Sequence, residues 1–159
     1  MIKQIALTAI ALSALATFSF AAAPALDDHN NYSGGWTNAS NGGTGFAPWV
    51  FTSSGAGGTY IGATGDGGNT TFGIFSGGAN AGDSMSVDRS FANGPLLAGE
   101  TFSFNLGADA VNAAGTPGVI GFNLLSSGSP VFTFKFTGGG SVWQLNDGGT
   151  DFGTSINFS

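Results

Sequence analysis

Val131-Phe132-Thr133-Phe134-Lys135-Phe136-Thr137 sets an aromatic ring at every second position, with a hydroxyl or a charge between. Successive side chains of a strand point to opposite faces, so Phe132, Phe134 and Phe136 share one face and Thr133 and Lys135 the other. That alternation marks a half-buried antiparallel strand. Glu100-Thr101-Phe102-Ser103-Phe104-Asn105-Leu106 repeats it, with Phe102, Phe104 and Leu106 inward. Residues 119–125 are apolar on both parities, as a more central strand would be. Weaker strand candidates cover 46–52, 58–61, 71–76, 85–91, 141–145 and 155–158. Between them lie Asn41-Gly42-Gly43, Gly55-Ala56-Gly57-Gly58, Gly65-Asp66-Gly67-Gly68-Asn69, Gly77-Gly78, Gly138-Gly139-Gly140 and Asp147-Gly148-Gly149. Glycine, Asn and Asp tolerate the positive φ angles of tight turns. Short strands at this spacing, with no helical period, predict an all-β, antiparallel β-sandwich whose core is supplied by the phenylalanines.

Composition narrows the alternatives. Of 159 residues 29 are Gly, while charged residues make up 8 % and hydrophobic ones 42 %. Ordinary disorder pairs high charge with low hydrophobicity, which is not the case here. Collagen is excluded because the glycines have no three-residue period. No fixed repeat points to a solenoid.

Residues 1–23 read as a signal peptide: Lys3 is the basic start, an apolar run continues to Phe20, and small residues offer cleavage between 21 and 25. Residues 24–159 then form one β-sandwich domain. Without Lys3, Arg89 and Lys135 face nine carboxylates, moving the net charge from −6 to −7. Such a surface repels nucleic acid and anionic lipid. No second apolar run follows, so no membrane span is expected in the mature chain. With no Cys, a secreted fold cannot rely on disulfides.

The wording of Trp36-Thr37-Asn38-Ala39-Ser40-Asn41-Gly42-Gly43-Thr44-Gly45-Phe46-Ala47-Pro48-Trp49, together with Asp88-Arg89-Ser90-Phe91 and Leu97-Ala98-Gly99-Glu100-Thr101-Phe102, resembles uncharacterised secreted bacterial proteins. Many of these carry the carboxy-terminal sorting signal called PEP-CTERM. The resemblance implies a jelly-roll or lectin-like (concanavalin-like) sandwich and brings no assigned activity. Members run on with further strands, a Pro-Glu-Pro motif, an apolar helix and a basic end, none of which follows Ser159. Two readings of Ser155-Ile156-Asn157-Phe158-Ser159 therefore stand: a true terminal strand, or a chain that stops before its last strands, the second being favoured.

Catalytic chemistry is poorly supplied. The one histidine, His29, follows the leader closely in Asp27-Asp28-His29-Asn30-Asn31 and reads as a solvated terminal residue rather than a member of a triad. Glycoside hydrolysis needs two carboxylates about 5 to 9.5 Å apart. Glu100 is the only glutamate, and Asp83 and Asp88 fall on opposite parities, so hydrolysis ranks third among the functional readings. Calcium wants six to eight oxygens, and Asn146, Asp147 and Asp151 crowd one Gly-rich loop; ordinary Asx turns account for the same residues.

Candidate ligand contacts are Trp36, Trp49, Trp143, Tyr60 and Arg89, since carbohydrate sites pair aromatic faces with amide and hydroxyl donors. The competing reading of each aromatic is core packing. That of Arg89, on the same parity as Met85, Val87 and Phe91, is an ion pair with a carboxylate. The expected function is a secreted, non-catalytic envelope or extracellular-matrix protein with a structural or adhesive role. The alternative is a carbohydrate-binding module. Expected partners are extracellular polysaccharide or envelope components, and self-association through an open sheet edge.

Overall fold

The computed structural model describes residues 24–63, 69–77 and 80–158; the expected signal peptide lies outside the described residues. Glycine-rich turns cut the chain into eight strands: β1 (Val50–Ser54), β2 (Gly57–Gly62), β3 (Thr71–Ser76), β4 (Ser84–Asp88), β5 (Val119–Ser126), β6 (Ser129–Thr137), β7 (Val142–Asn146) and β8 (Asp151–Asn157). All pairing is antiparallel. β1 pairs with β4, the β2–β3 hairpin is nested between them in the chain, and β5-β6-β7-β8 form a sequential four-stranded sheet. The fold is all-β and consistent with a β-sandwich; the described residues contain no α-helix, only a 3₁₀ turn at His29–Tyr32.

A tight turn and a bulge together set the register of β5 and β6. Ser126 pairs with Ser129, leaving Ser127 (φ 51°) and Gly128 (φ 80°) as a two-residue loop. Positive φ at both positions is the hairpin turn whose twist matches that of its strands. A bulge at Val131 of β6 then shifts the register by one residue, which sets Phe122 opposite Phe134, with Phe134 opposite Leu145 and Leu145 opposite Phe152. The neighbouring row is Asn123, Thr133, Asn146 and Asp151. The sheet therefore has one apolar and one polar face.

On the polar face the Thr133 hydroxyl donates to Asn123 Oδ1 at 2.6 Å, and Asn146 Nδ2 donates to Asp151 Oδ1 at 2.8 Å. Lys135 Nζ lies 2.7 Å from the Asp151 carboxylate. On the apolar face Trp143 stacks on Phe134 at 4.7 Å and Phe136 on Phe158 at 4.0 Å. Gly121 sits in the middle of β5 at φ 153°, where a Cβ would run into the backbone of Phe134 and Lys135. Glycine there lets β5 and β6 close up.

The expected strand at residues 100–106 does not form. Its alternation is real, but a strand also needs a backbone partner, and no ladder reaches these residues. Phe104 instead caps Phe122, with ring centroids 4.2 Å apart, and Phe102 bridges Phe91 and Phe122 at 6.2 and 6.3 Å. The expected phenylalanine core is corrected as well. Among the described residues Phe136 is the one buried phenylalanine; the other buried hydrophobics are Tyr32, Trp36 and Trp143. The cause is that only the 102–106 segment reaches across the sheet's apolar face, so Phe102, Phe104, Leu106, Phe152 and Ile156 stay exposed.

Candidate functional site

The N-terminal half is organised by one short turn. The Asp28 carboxylate accepts from the Asn30 N–H at 2.7 Å and caps the 3₁₀ turn, the Asx chemistry expected of Asp before a tight turn. The turn drives Tyr32 inward against Phe72 at 5.3 Å. Four residues on, Trp36 becomes the hub of an aromatic cluster, meeting Phe72 at 4.6 Å, Phe51 at 4.9 Å and Trp49 at 5.3 Å.

Beneath this cluster lies the charged centre. Arg89 pairs with Asp27, and the two side chains are only 5 % and 8 % exposed. The guanidinium also donates to Tyr32 Oη at 3.0 Å, Ala47 O at 2.7 Å, Asn41 Oδ1 at 2.7 Å and Gly42 O at 2.8 Å. Its carbon stands 5.0 Å from the Phe46 ring and 5.2 Å from that of Trp49. The Tyr32 hydroxyl donates to Asp27 at 2.7 Å and accepts from Trp49 Nε1 at 2.8 Å. Burial, and after it the bond to Asp27, push the Tyr32 pKa upward, because the phenolate would have to form beside a carboxylate. Every donor of Arg89 is thus committed within the chain, which leaves the ion-pair reading and no free cation for a ligand.

Between the 29–37 segment and β2 runs a groove of about 630 Å³. Its lining includes His29, Tyr32, Ser33, Trp36 and Thr37 on one side and Thr59, Tyr60 and Ile61 on the other. The cross-strand partner of Tyr60 is Gly73, and the ring lies over the place a Cβ would take. Tyr60 is 36 % exposed, Trp36 only 6 %. Trp36 Nε1 is buried and finds no hydrogen-bond partner, the one such side-chain atom among the described residues.

The chain matches no protein-family model, no curated protein and no solved structure.

Of the candidate ligand contacts, Trp36 lines this groove on the Phe72 side of the β2–β3 hairpin, while the Tyr60 ring lies on the opposite face, over Gly73 and beside Phe75. Trp49 lies behind Trp36, half-buried, and Arg89 behind that. Trp143 is elsewhere, buried in the four-stranded sheet against Phe134 and Phe136. The groove's other polar residues were not signalled by any motif. His29, expected to be solvated, is half-buried in the groove wall because the Asp28 cap folds its segment back.

The proposed calcium loop is engaged otherwise. Asn146 donates to Asp151 and to Gly149 O, its own Oδ1 accepts from the Gly148 N–H at 2.8 Å, and Lys135 neutralises Asp151. The Lys135 bond, then the Asn146 bond, lower the Asp151 pKa. A calcium ion there would have to displace Lys135. Among the described residues no group of three or more His, Asp or Glu is placed to hold a metal. Glu100 accepts from the Leu97 N–H at 2.7 Å, which makes it the closure of a turn.

Proposed function

We propose that this chain is a secreted, non-catalytic protein of the bacterial envelope or extracellular matrix, acting structurally by sticking to other copies of itself. The observation that carries the reading is the two-faced sheet. Its apolar face is open, with a hollow of about 330 Å³ lined by Phe104, Leu106, Phe122, Phe134, Trp143 and Ile156. Contiguous apolar surface of this kind marks places where proteins associate. The edge strands β5 and β8 add unpaired backbone groups that favour the same outcome.

The resemblance to PEP-CTERM-type proteins, the leader-like residues 1–23 and the acidic, Gly-rich composition support export and a place among polar polymers. No helix among the described residues is long and apolar enough to cross a membrane. Light scattering over a concentration series tests the reading. Association is expected to strengthen with concentration and salt, and to weaken in the Phe152→Thr, Ile156→Thr double variant, whose side chains are 54 % and 53 % exposed in the wild type. A monomer at all concentrations, or association unchanged by that variant, overturns it.

A further inference from the structure

We infer that the edge strand β5 pairs antiparallel with β5 of a second copy about a two-fold axis at Phe122, joining two four-stranded sheets into one continuous sheet. The inference rests on the self-association proposed above and names the contact that begins it.

Of the two edges of the four-stranded sheet, β8 is guarded and β5 is not. β8 carries Asp151, and its residues 154–156 bulge opposite Trp143, where Thr154 Oγ1 accepts from the Ile156 N–H at 3.1 Å. Charges and bulges are the usual means of keeping an edge from adding a strand. β5 runs Val119-Ile120-Gly121-Phe122-Asn123-Leu124-Leu125-Ser126, with no charge, no Pro and no bulge of its own, since the extra residue, Val131, belongs to β6. Copies of a chain with net charge −6 repel one another, which favours contact along a strand without carboxylates.

The register follows from the backbone and from two exposed side chains. Alternate residues of an antiparallel strand send both backbone groups to the same neighbour. The Gly138 N–H donates to Gly118 O at 2.9 Å, so residues 118, 120, 122 and 124 bond to β6, and residues 119, 121, 123 and 125 turn theirs outward. A ladder between two β5 strands must therefore pair odd residues with odd. A two-fold at Phe122 does so: Val119 falls opposite Leu125 of the second copy, and Gly121 opposite Asn123. Val119 and Leu125 are 61 % and 49 % exposed, on the strand face they share with Asn123. In this register each is covered by the other, once on either side of the axis. A centre at Gly121 would set Val119 against Asn123, and one at Asn123 would set Leu125 against Gly121. On the opposite face Ile120 meets Leu124 and Phe122 meets Phe122, so the apolar faces of both sheets stay on one side. A two-fold contact consumes both β5 edges and stops at a dimer.

The test uses the protein produced from the full 159-residue chain, followed by sedimentation velocity over a concentration series. Wild type is expected to show a discrete dimer, and the amides of Val119, Gly121 and Asn123 should gain hydrogen-exchange protection as it forms. Asn123→Pro removes an outward N–H, leaves the β6 ladder whole, and should weaken the dimer by about tenfold or more. Val119→Lys and Leu125→Glu should each weaken it too. Mixing those two variants should tighten association about threefold or more over either alone, because the opposite charges then face each other across the axis. If Asn123→Pro does not melt cooperatively, the mixed pair decides alone. The Phe152→Thr, Ile156→Thr variant should lose assemblies larger than the dimer and keep the dimer. Monomers from that variant, a dimer that Asn123→Pro leaves unchanged, or a mixture no tighter than its components overturns the β5 contact while association through the sheet face stands. A wild-type monomer at every concentration overturns both.

Discussion

Truncating Arg89 to Ala is the most informative single change in the N-terminal half. The wild-type side chain satisfies four acceptors besides Asp27 and packs between Phe46 and Trp49. Its removal leaves the Asp27 carboxylate buried with only Tyr32 and Asn31 as donors, and leaves Ala47 O without its guanidinium donor. Breaking a buried pair from one side costs about 3–5 kcal/mol, because the remaining charge cannot recover its hydration. A domain of this size has a total stability of about 5–15 kcal/mol, so this is a large fraction of it. At roughly 3 °C per kcal/mol, the melting temperature should fall by about 10–15 °C. Urea titration followed by tryptophan fluorescence gives the same quantity at 25 °C. Buried pairs are poorly screened, so the loss should be nearly the same in low and in molar salt. Pairing Arg89→Met with Asp27→Asn removes both charges and should recover part of the loss. An Arg89→Ala protein within about 1 kcal/mol of wild type would refute the reasoning, since it would mean that Asp27 is solvated and the centre is not closed.

Two pH dependences follow from the same geometry. Folding raises the Tyr32 pKa, so the neutral hydroxyl is the form the fold prefers; its contribution is complete below about pH 10 and is lost as pH rises through the higher folded value. Urea midpoints measured from pH 9 to 12 should fall for wild type, and fall less for Tyr32→Phe. Folding lowers the Asp151 pKa, so its contribution is present above the ordinary aspartate value of about 3.9 and is lost as pH falls through the folded one. Because Lys135 and Asp151 are 27 % and 37 % exposed, Lys135→Ala should change stability only slightly, in low salt only, and should flatten the acid limb. A large, salt-independent loss in Lys135→Ala would contradict that placement.

How much of this could be read from the chain differs from element to element. Phe132, Phe134 and Phe136 announced β6 because two-residue alternation is a property of one strand alone. Residues 100–106 carried the same alternation and are not a strand, because pairing depends on a partner that alternation does not name. The parity of Arg89 placed it among apolar neighbours, which implied a partner. Asp27, 62 residues away, could be found only once the Leu26–Thr44 and Phe46–Phe91 bridges together brought the two ends of that path to one place. Trp36 and Tyr60 could each be singled out by composition, but that Trp36 becomes the hub of a cluster on Phe72 while Tyr60 turns to the other face, over Gly73, depends on the capped turn and on the register of β2 with β3. His29 gave no signal, since half-burial of a terminal-looking residue comes from how Asp28 folds the backbone.

The span between Asp27 and Arg89 also sets a clock. A chain made at about 5–20 residues per second delivers Arg89 some 3–12 seconds after Asp27, so the first acid of the fold waits that long for its base. Phe72 is made before Arg89, so late in that wait Tyr32 and Trp36 have this aromatic partner but not the guanidinium, and the charged centre cannot close. Assembly of this half is therefore paced from its far end, and whatever holds the nascent segment during that interval must keep two large aromatics apart from their counterparts on neighbouring chains.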